Sequence, residues 1–185
     1  MASIVLFHSA LGLTAGVKEL AAELARDGHD VQTPDLFDGE TFLTVEDGVK
    51  KRDALGIPEL MRRSAEAAEK SPASSIYIGL SMGAAAAQFL AGTRPGARGA
   101  VLLHAALPLA AMGLERWPDV PVEIHASEAD PWVDDAALDA FAHASGAQVF
   151  RYPGAAHLFS DTSSPDHDAS QRAELVARVR AFARR

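Results

Sequence analysis

Residues 77–88 read YIGLSMGAAAAQ, and the fold turns on this stretch. Tyr77 to Leu80 close a short apolar run of the kind that forms a buried strand, and the alanines from Ala84 to Ala87 suit a helix. Ser81 stands at the seam, with Gly79 and Gly83 two positions away on either side. A strand that passes straight into a helix needs a sharp turn, and the residue at its apex adopts an unfavourable backbone conformation at a cost of about 1–3 kcal/mol. Glycine at 79 and 83 removes the side chains that would collide with the adjoining strand and helix. The alanines keep the helix thin enough to lie close on a sheet.

Working outward, the same alternation of apolar run and helical segment recurs along the chain, the pattern of parallel βαβ units. Six strands are expected: Ser3–His8, Asp30–Pro34, Ser75–Leu80, Gly99–His104, Val122–Ala126 and Ala147–Tyr152. Between and after them the spacing predicts helices over Thr14–Asp27, Asp47–Ala54, Pro58–Lys70, Met82–Ala91, Asp134–Ala144 and Ala169–Arg185, with the second and third parted at Gly56. In the last helix Val176, Val179 and Phe182 form an apolar stripe, and Arg172, Arg178 and Arg185 read as a solvated face. The expected architecture is a three-layer α/β sandwich around a mostly parallel six-stranded sheet, one domain over residues 1–185 with no large cap. Irregular segments at Leu36–Glu46, Ala106–Pro121 and Gly154–Asp168 all follow strands, so they gather at one edge of a parallel sheet, where ligands bind.

Composition narrows the function. With 48% hydrophobic and 23% charged residues the chain sits at the globular average. A formal charge of −8 argues against nucleic acid or an anionic membrane as partner, since either needs a basic face. There are no cysteines, which removes disulfides, thiolate metal sites and a thiol nucleophile. No stretch approaches the ~18 consecutive apolar residues of a membrane span, and the opening MASIVLFHSA lacks a charged lead and a long apolar core, so a cytoplasmic location is expected.

The GLSMG pentapeptide, Gly79 to Gly83, has the form of the nucleophile elbow of α/β-hydrolases, G-x-S-x-G between a strand and a helix. A serine hydroxyl is a weak nucleophile until a base lies within hydrogen-bond reach and a third group orients that base. In this fold the partners follow in the order acid, then histidine. Asp130 lies just beyond the fifth strand in HASEADPWV, with Glu128, Asp134 and Asp135 as competitors, and His157 lies in PGAAHLF after the sixth. Both positions fall at the edge where Ser81 emerges. His8, His104 and His125 lie at or near strand ends and raise the alternative of a histidine metal site. A noncatalytic α/β-hydrolase-like binding protein is the other alternative.

The order and spacing of HSALGL after the first strand, TPDLFDG after the second, GLSMG, EADPWV and YPGAAHLF resemble the dienelactone hydrolase family over nearly the whole chain. The resemblance implies hydrolysis of a small ester, lactone or thioester through an acyl-enzyme, with Ser81 as nucleophile, Asp130 as acid and His157 as base. It implies no metal and no organic cofactor, and an oxyanion hole formed by the backbone N–H groups of Met82 and Ala10. His8, Phe37 and Trp132, with Phe42, are candidates for the substrate pocket. The expected partner is a small ester or lactone, in a monomer or small homo-oligomer. The founding members use cysteine where this chain has Ser81, carry a glutamate where it reads His8-Ser9-Ala10, and hold substrate-binding arginines without counterpart after PDLFDG. The resemblance therefore describes ancestry better than substrate.

Overall fold

The computed structural model describes all residues from Met1 to Arg185. Six strands, β1 (Ser3–Phe7), β2 (Asp30–Gln32), β3 (Ile76–Leu80), β4 (Gly99–Leu103), β5 (Val122–Ser127) and β6 (Gln148–Tyr152), form one sheet in the order β2-β1-β3-β4-β5-β6. Every neighbouring pair is parallel, so the sheet expected to be mostly parallel is parallel throughout. The second strand stops at Gln32 instead of Pro34; proline has no N–H for the ladder, and this is an edge strand.

Six helices cover the sheet: α1 (Ala15–Arg26), α2 (Val45–Leu55), α3 (Ile57–Glu69), α4 (Met82–Thr93), α5 (Asp135–Ser145) and α6 (Ala169–Ala183). Their starts are chemical. Thr14, Thr44, Asp134 and Asp168 each accept a backbone N–H of the first turn, at 2.9–3.2 Å. Gly56, at φ 82°, parts α2 from α3.

Successive side chains of β1 point to opposite faces, and each face builds its own core. Val5 and Phe7 join Leu60, Ala87, Leu90 and Phe141 on the side of α3, α4 and α5. Ile4 and Leu6 join Val17, Leu20, Val176 and Phe182 on the side of α1 and α6. Helix, sheet and helix make three layers, the α/β-hydrolase arrangement, without a large additional domain.

The arginines of α6 are a correction. Arg172 pairs with Glu23 at 2.8 Å, Arg178 lies 4.0 Å from the Phe150 ring centroid, and Arg185 reaches the buried Glu123 at 2.6 Å. Long cationic stems cover apolar surface while their heads find carboxylates or a ring, so Arg172 and Arg178, expected on a solvated face, dock instead, while Arg185, just past α6, stays more than half exposed.

Strand order reverses between β1 and β3. The crevice outside the carboxyl ends of those two strands is the switch point at which open α/β sheets bind ligands. The loop after β1 and the turn after β3 carry Ala10 and Ser81 to it.

Candidate active site

Ser81 has φ 51° and ψ −110°, a left-handed conformation that few residues other than glycine adopt. The turn is held because its N–H donates to the Leu103 carbonyl at 2.7 Å and its carbonyl accepts from Ala84 N–H at 2.9 Å. The flanking glycines are obligatory by packing. A Cβ on Gly79 would overlap the Gly83 carbonyl, and one on Gly83 would stand 2.5 Å from the carbonyl oxygens of both Phe7 and His8. Backbone cannot give way as a side chain can.

Ser81 Oγ lies 2.7 Å from His157 Nε2, and His157 Nδ1 lies 2.7 Å from Asp130 Oδ2. Carboxylate oxygen only accepts, so Nδ1 carries the imidazole proton and Nε2 presents its lone pair to the serine hydroxyl. Asp130 and His157 are both buried, at 6% and 2% exposure, which strengthens their mutual bond. Asp130 is oriented by the Trp132 N–H, which donates to Oδ1 at 2.9 Å. The His157 loop is pinned twice, by its own N–H donating to Asp166 at 3.1 Å and by Ser127 Oγ donating to the Ala156 carbonyl at 2.6 Å. Backbone bonds from Glu128 to Tyr152 and from Ala129 to Gly154 tie the two loops together.

Around this line the candidates fall unequally. Met82 opens α4, so its N–H belongs to the first turn, which has no partner within the helix. The buried Ala10 N–H finds no acceptor in the protein, whereas the amides of Leu11 and Gly12 are satisfied within the same turn by Ser9. Two amides flanking the switch point are thus free to donate. Trp132 lies with its ring centroid 6.0 Å from that of His157 and remains 45% exposed.

His8 and Phe37, expected at the pocket, are fully buried and line no cavity beside Ser81. His8 Nε2 accepts from Leu36 N–H at 3.0 Å and its Nδ1–H donates to the Ser9 carbonyl at 2.7 Å, so it fixes the loop after β2 from beneath. Phe37 packs edge-on against it, ring centroids 5.1 Å apart. The cavity that does open at Ser81 measures about 170 Å³ and is walled by Leu36, α3, the start of α4 and the loop after β4. Its α3 residues, Ile57, Leu60, Met61 and Ser64, were not singled out by sequence. Their i, i+3, i+4, i+7 spacing on a heavily charged helix was the available signal. Gln88, buried in α4, was also missed. Its amide donates to the Leu107 carbonyl at 2.6 Å and accepts the Leu107 N–H at 2.9 Å, setting the loop after β4 in place.

The three strand-end histidines do not converge on a metal. His104 Nε2 shares a hydrogen bond with Ser160 Oγ at 2.6 Å, His125 Nδ1 one with the Tyr152 hydroxyl at 2.9 Å, and His8 is used as above. No group of three or more histidine, aspartate or glutamate side chains is placed to hold an ion. Burial pushes all three imidazoles below their ordinary pKa, most strongly at His104, where the neighbouring His157 adds to it.

A parallel sheet with helices on both faces and a serine in a left-handed strand–helix turn at the switch point define the α/β-hydrolase class. The family model for the dienelactone hydrolase family matches residues 1–184, and the chain belongs to that family. It is accordingly a carboxylic ester hydrolase. No curated protein matches the sequence. Among solved structures it is similar to a dienelactone hydrolase-like promiscuous phosphotriesterase from metagenomic libraries, at 23% identity and a TM-score of 0.79, over 100% of this chain and 86% of that one. It is also similar to the dienelactone hydrolase of Anabaena variabilis, at 20% identity and 0.69, over 98% and 85%. A cold-adapted esterase from an Arctic intertidal metagenomic library matches at 16% identity and 0.67, over 98% and 82%. These likenesses concern the fold. No helix is long and apolar enough to cross a membrane.

Proposed function

We propose that the chain hydrolyses a small ester, lactone or thioester through an acyl-enzyme formed on Ser81, with His157 as general base and Asp130 as its orienting carboxylate. One observation carries the reading: Ser81 Oγ is 2.7 Å from an imidazole nitrogen whose opposite nitrogen is 2.7 Å from a buried carboxylate. As Oγ bonds to the substrate carbonyl carbon, its proton passes to His157 Nε2, and Asp130 offsets the charge that develops on the ring. The carbonyl oxygen becomes an oxyanion that accepts from the N–H groups of Met82 and Ala10. Collapse breaks the bond to the leaving group, which takes the proton from His157. Water then attacks the acyl carbon, giving its proton to His157, and the second collapse releases the acid and returns the proton to Ser81.

The test pairs a chemical label with a substitution. A fluorophosphonate is expected to add to the wild-type chain at Ser81, located by peptide mass, and to leave S81A unlabelled and inactive toward phenyl acetate. Labelling elsewhere, or an S81A protein that turns over ester like wild type, overturns the assignment. A wild-type chain that takes no label marks a binding protein instead.

A further inference from the structure

The mechanism leaves open which part of a substrate occupies which side of Ser81. Two cavities flank the site, and they differ in character. One, of about 210 Å³, is mixed: Leu11, Leu43 and Trp132 border it together with Thr44, Glu46 and Asp166. Trp132 and Asp166 are the residues that touch the His157 ring and backbone, so this cavity lies on the histidine side. The other, of about 170 Å³, shares Ser81 and Met82 with the proposed machinery and runs back between α3 and α4. A leaving group must lie beside the imidazole to receive its proton, which puts it on the Trp132 side and turns the acyl chain toward α3 and α4.

We propose that the cavity between α3 and α4 is the acyl site, and that it selects an uncharged, apolar acyl chain of about six carbons; the proposal rests on the reading of Ser81 as nucleophile. The walls are Ile57, Leu60, Met61, Ala85 and Leu107. Apart from Ser81 the only polar side chain among them is Ser64, and its hydroxyl already donates to the Leu60 carbonyl at 2.8 Å. No cation faces the space. Neither arginine of α3 lines it: Arg62 is held by Glu59 and Glu66, and Arg63, outside the wall at Leu36, donates to Glu59, Asp38 and the Leu36 carbonyl at 2.8–3.0 Å. A carboxylate on the acyl chain would be desolvated there with no donor to receive it. The length follows from the volume, since an apolar cavity of about 150 Å³ admits benzene, a six-carbon body.

The experiment is a series of p-nitrophenyl esters from acetyl to decanoyl, with the p-nitrophenyl monoester of adipic acid as the charged counterpart of hexanoyl, read as kcat/KM on wild type, S81A and A85L. Specificity is expected to climb about fourfold per methylene, to peak near hexanoyl and then to fall. The adipoyl monoester is expected to lie at least about 100-fold below hexanoyl. Leucine at 85 fills part of the cavity, so the hexanoyl-to-acetyl ratio is expected to fall at least about tenfold in A85L, verified as folded by circular dichroism. Ser81-dependent turnover with a flat or declining profile, or with adipoyl equal to hexanoyl, overturns this proposal alone. A series hydrolysed equally well by S81A overturns the nucleophile reading and this proposal with it. The wild-type profile decides without any variant should A85L fail to fold.

Discussion

Two serine–histidine pairs lie side by side in this protein. His157 meets Ser81 at 2.7 Å and His104 meets Ser160 at 2.6 Å, both through Nε2, and the two rings stand 6.1 Å apart. Both imidazoles are buried. They differ in what stands behind them. His157 Nδ1 faces Asp130 at 2.7 Å, whereas His104 Nδ1 faces no partner and its ring packs against Phe159 at 4.7 Å. An imidazole can take a proton in a dry site only if a carboxylate offsets the charge. His104 has none, and burial beside His157 drives it to stay neutral. Their serines differ too, since Ser81 is held in a left-handed turn at the mouth of a cavity while Ser160 is buried in the loop after β6. The same two side chains therefore make a candidate reaction centre in one place and a structural clasp in the other.

The largest test of this contrast is loss of the carboxylate. D130N is expected to lower kcat by about 10⁴, with S81A and H157A lower still, approaching about 10⁶. An active D130N would make the two pairs equivalent and break the comparison. Next is the cramped turn that holds Ser81. G79A and G83A force a Cβ into backbone and should each cost about 3 kcal/mol or more, a fall in Tm of roughly 6–12 °C by thermal melt. Unchanged melting would show that the turn is not so constrained. A smaller effect is expected on the clasp: S160A removes one buried hydrogen bond worth about 1 kcal/mol, so kcat/KM should fall less than about tenfold. A loss like that of S81A would place the second pair in the machinery.

The contrast also bears on acid stability. His8, His104 and His125 are held below the free value of 6.5 in the folded chain, so below that pH the unfolded chain binds protons that the folded chain refuses. Stability thus rises with pH across this window and is lost on acidification, with a slope of up to about 1.4 kcal/mol per pH unit for each imidazole. Melts between about pH 5 and pH 7 should show it, and H104Q should flatten the slope. An acid-insensitive Tm would remove the claim that His104 differs from a solvated histidine.

Much of this was legible in the sequence because the signals are local. The six strands differ from their expected bounds by at most two residues, since apolar runs bounded by glycine, proline and polar residues mark buried strands without reference to the rest of the chain. Ser81 was visible because a strand–helix turn demands glycine within two residues. Asp130 and His157 were nameable as candidates from their places after β5 and β6. Other features carried no local mark. Glu123 and His125 sit in a strand buried along its whole length, where they face each other at 3.7 Å and are met by Arg185 and Tyr152, brought from distant positions. Phe37 reads as a pocket aromatic on an irregular loop, yet the loop folds it under His8. Ser160 is an unremarked residue three positions past His157 until β4 brings His104 against it.

Sequence by itself determined the alternation of strands and helices, the parallel sheet that follows from it, and the cramped turn at Ser81, because each depends on neighbours within a few residues. Only the tertiary structure decided which of seven histidines backs onto a carboxylate, which arginines dock, and where a cavity opens. A serine–histidine contact 76 residues across and a pocket walled by four separate segments are properties of packing, and packing joins residues whose separation along the chain says nothing of their distance in space.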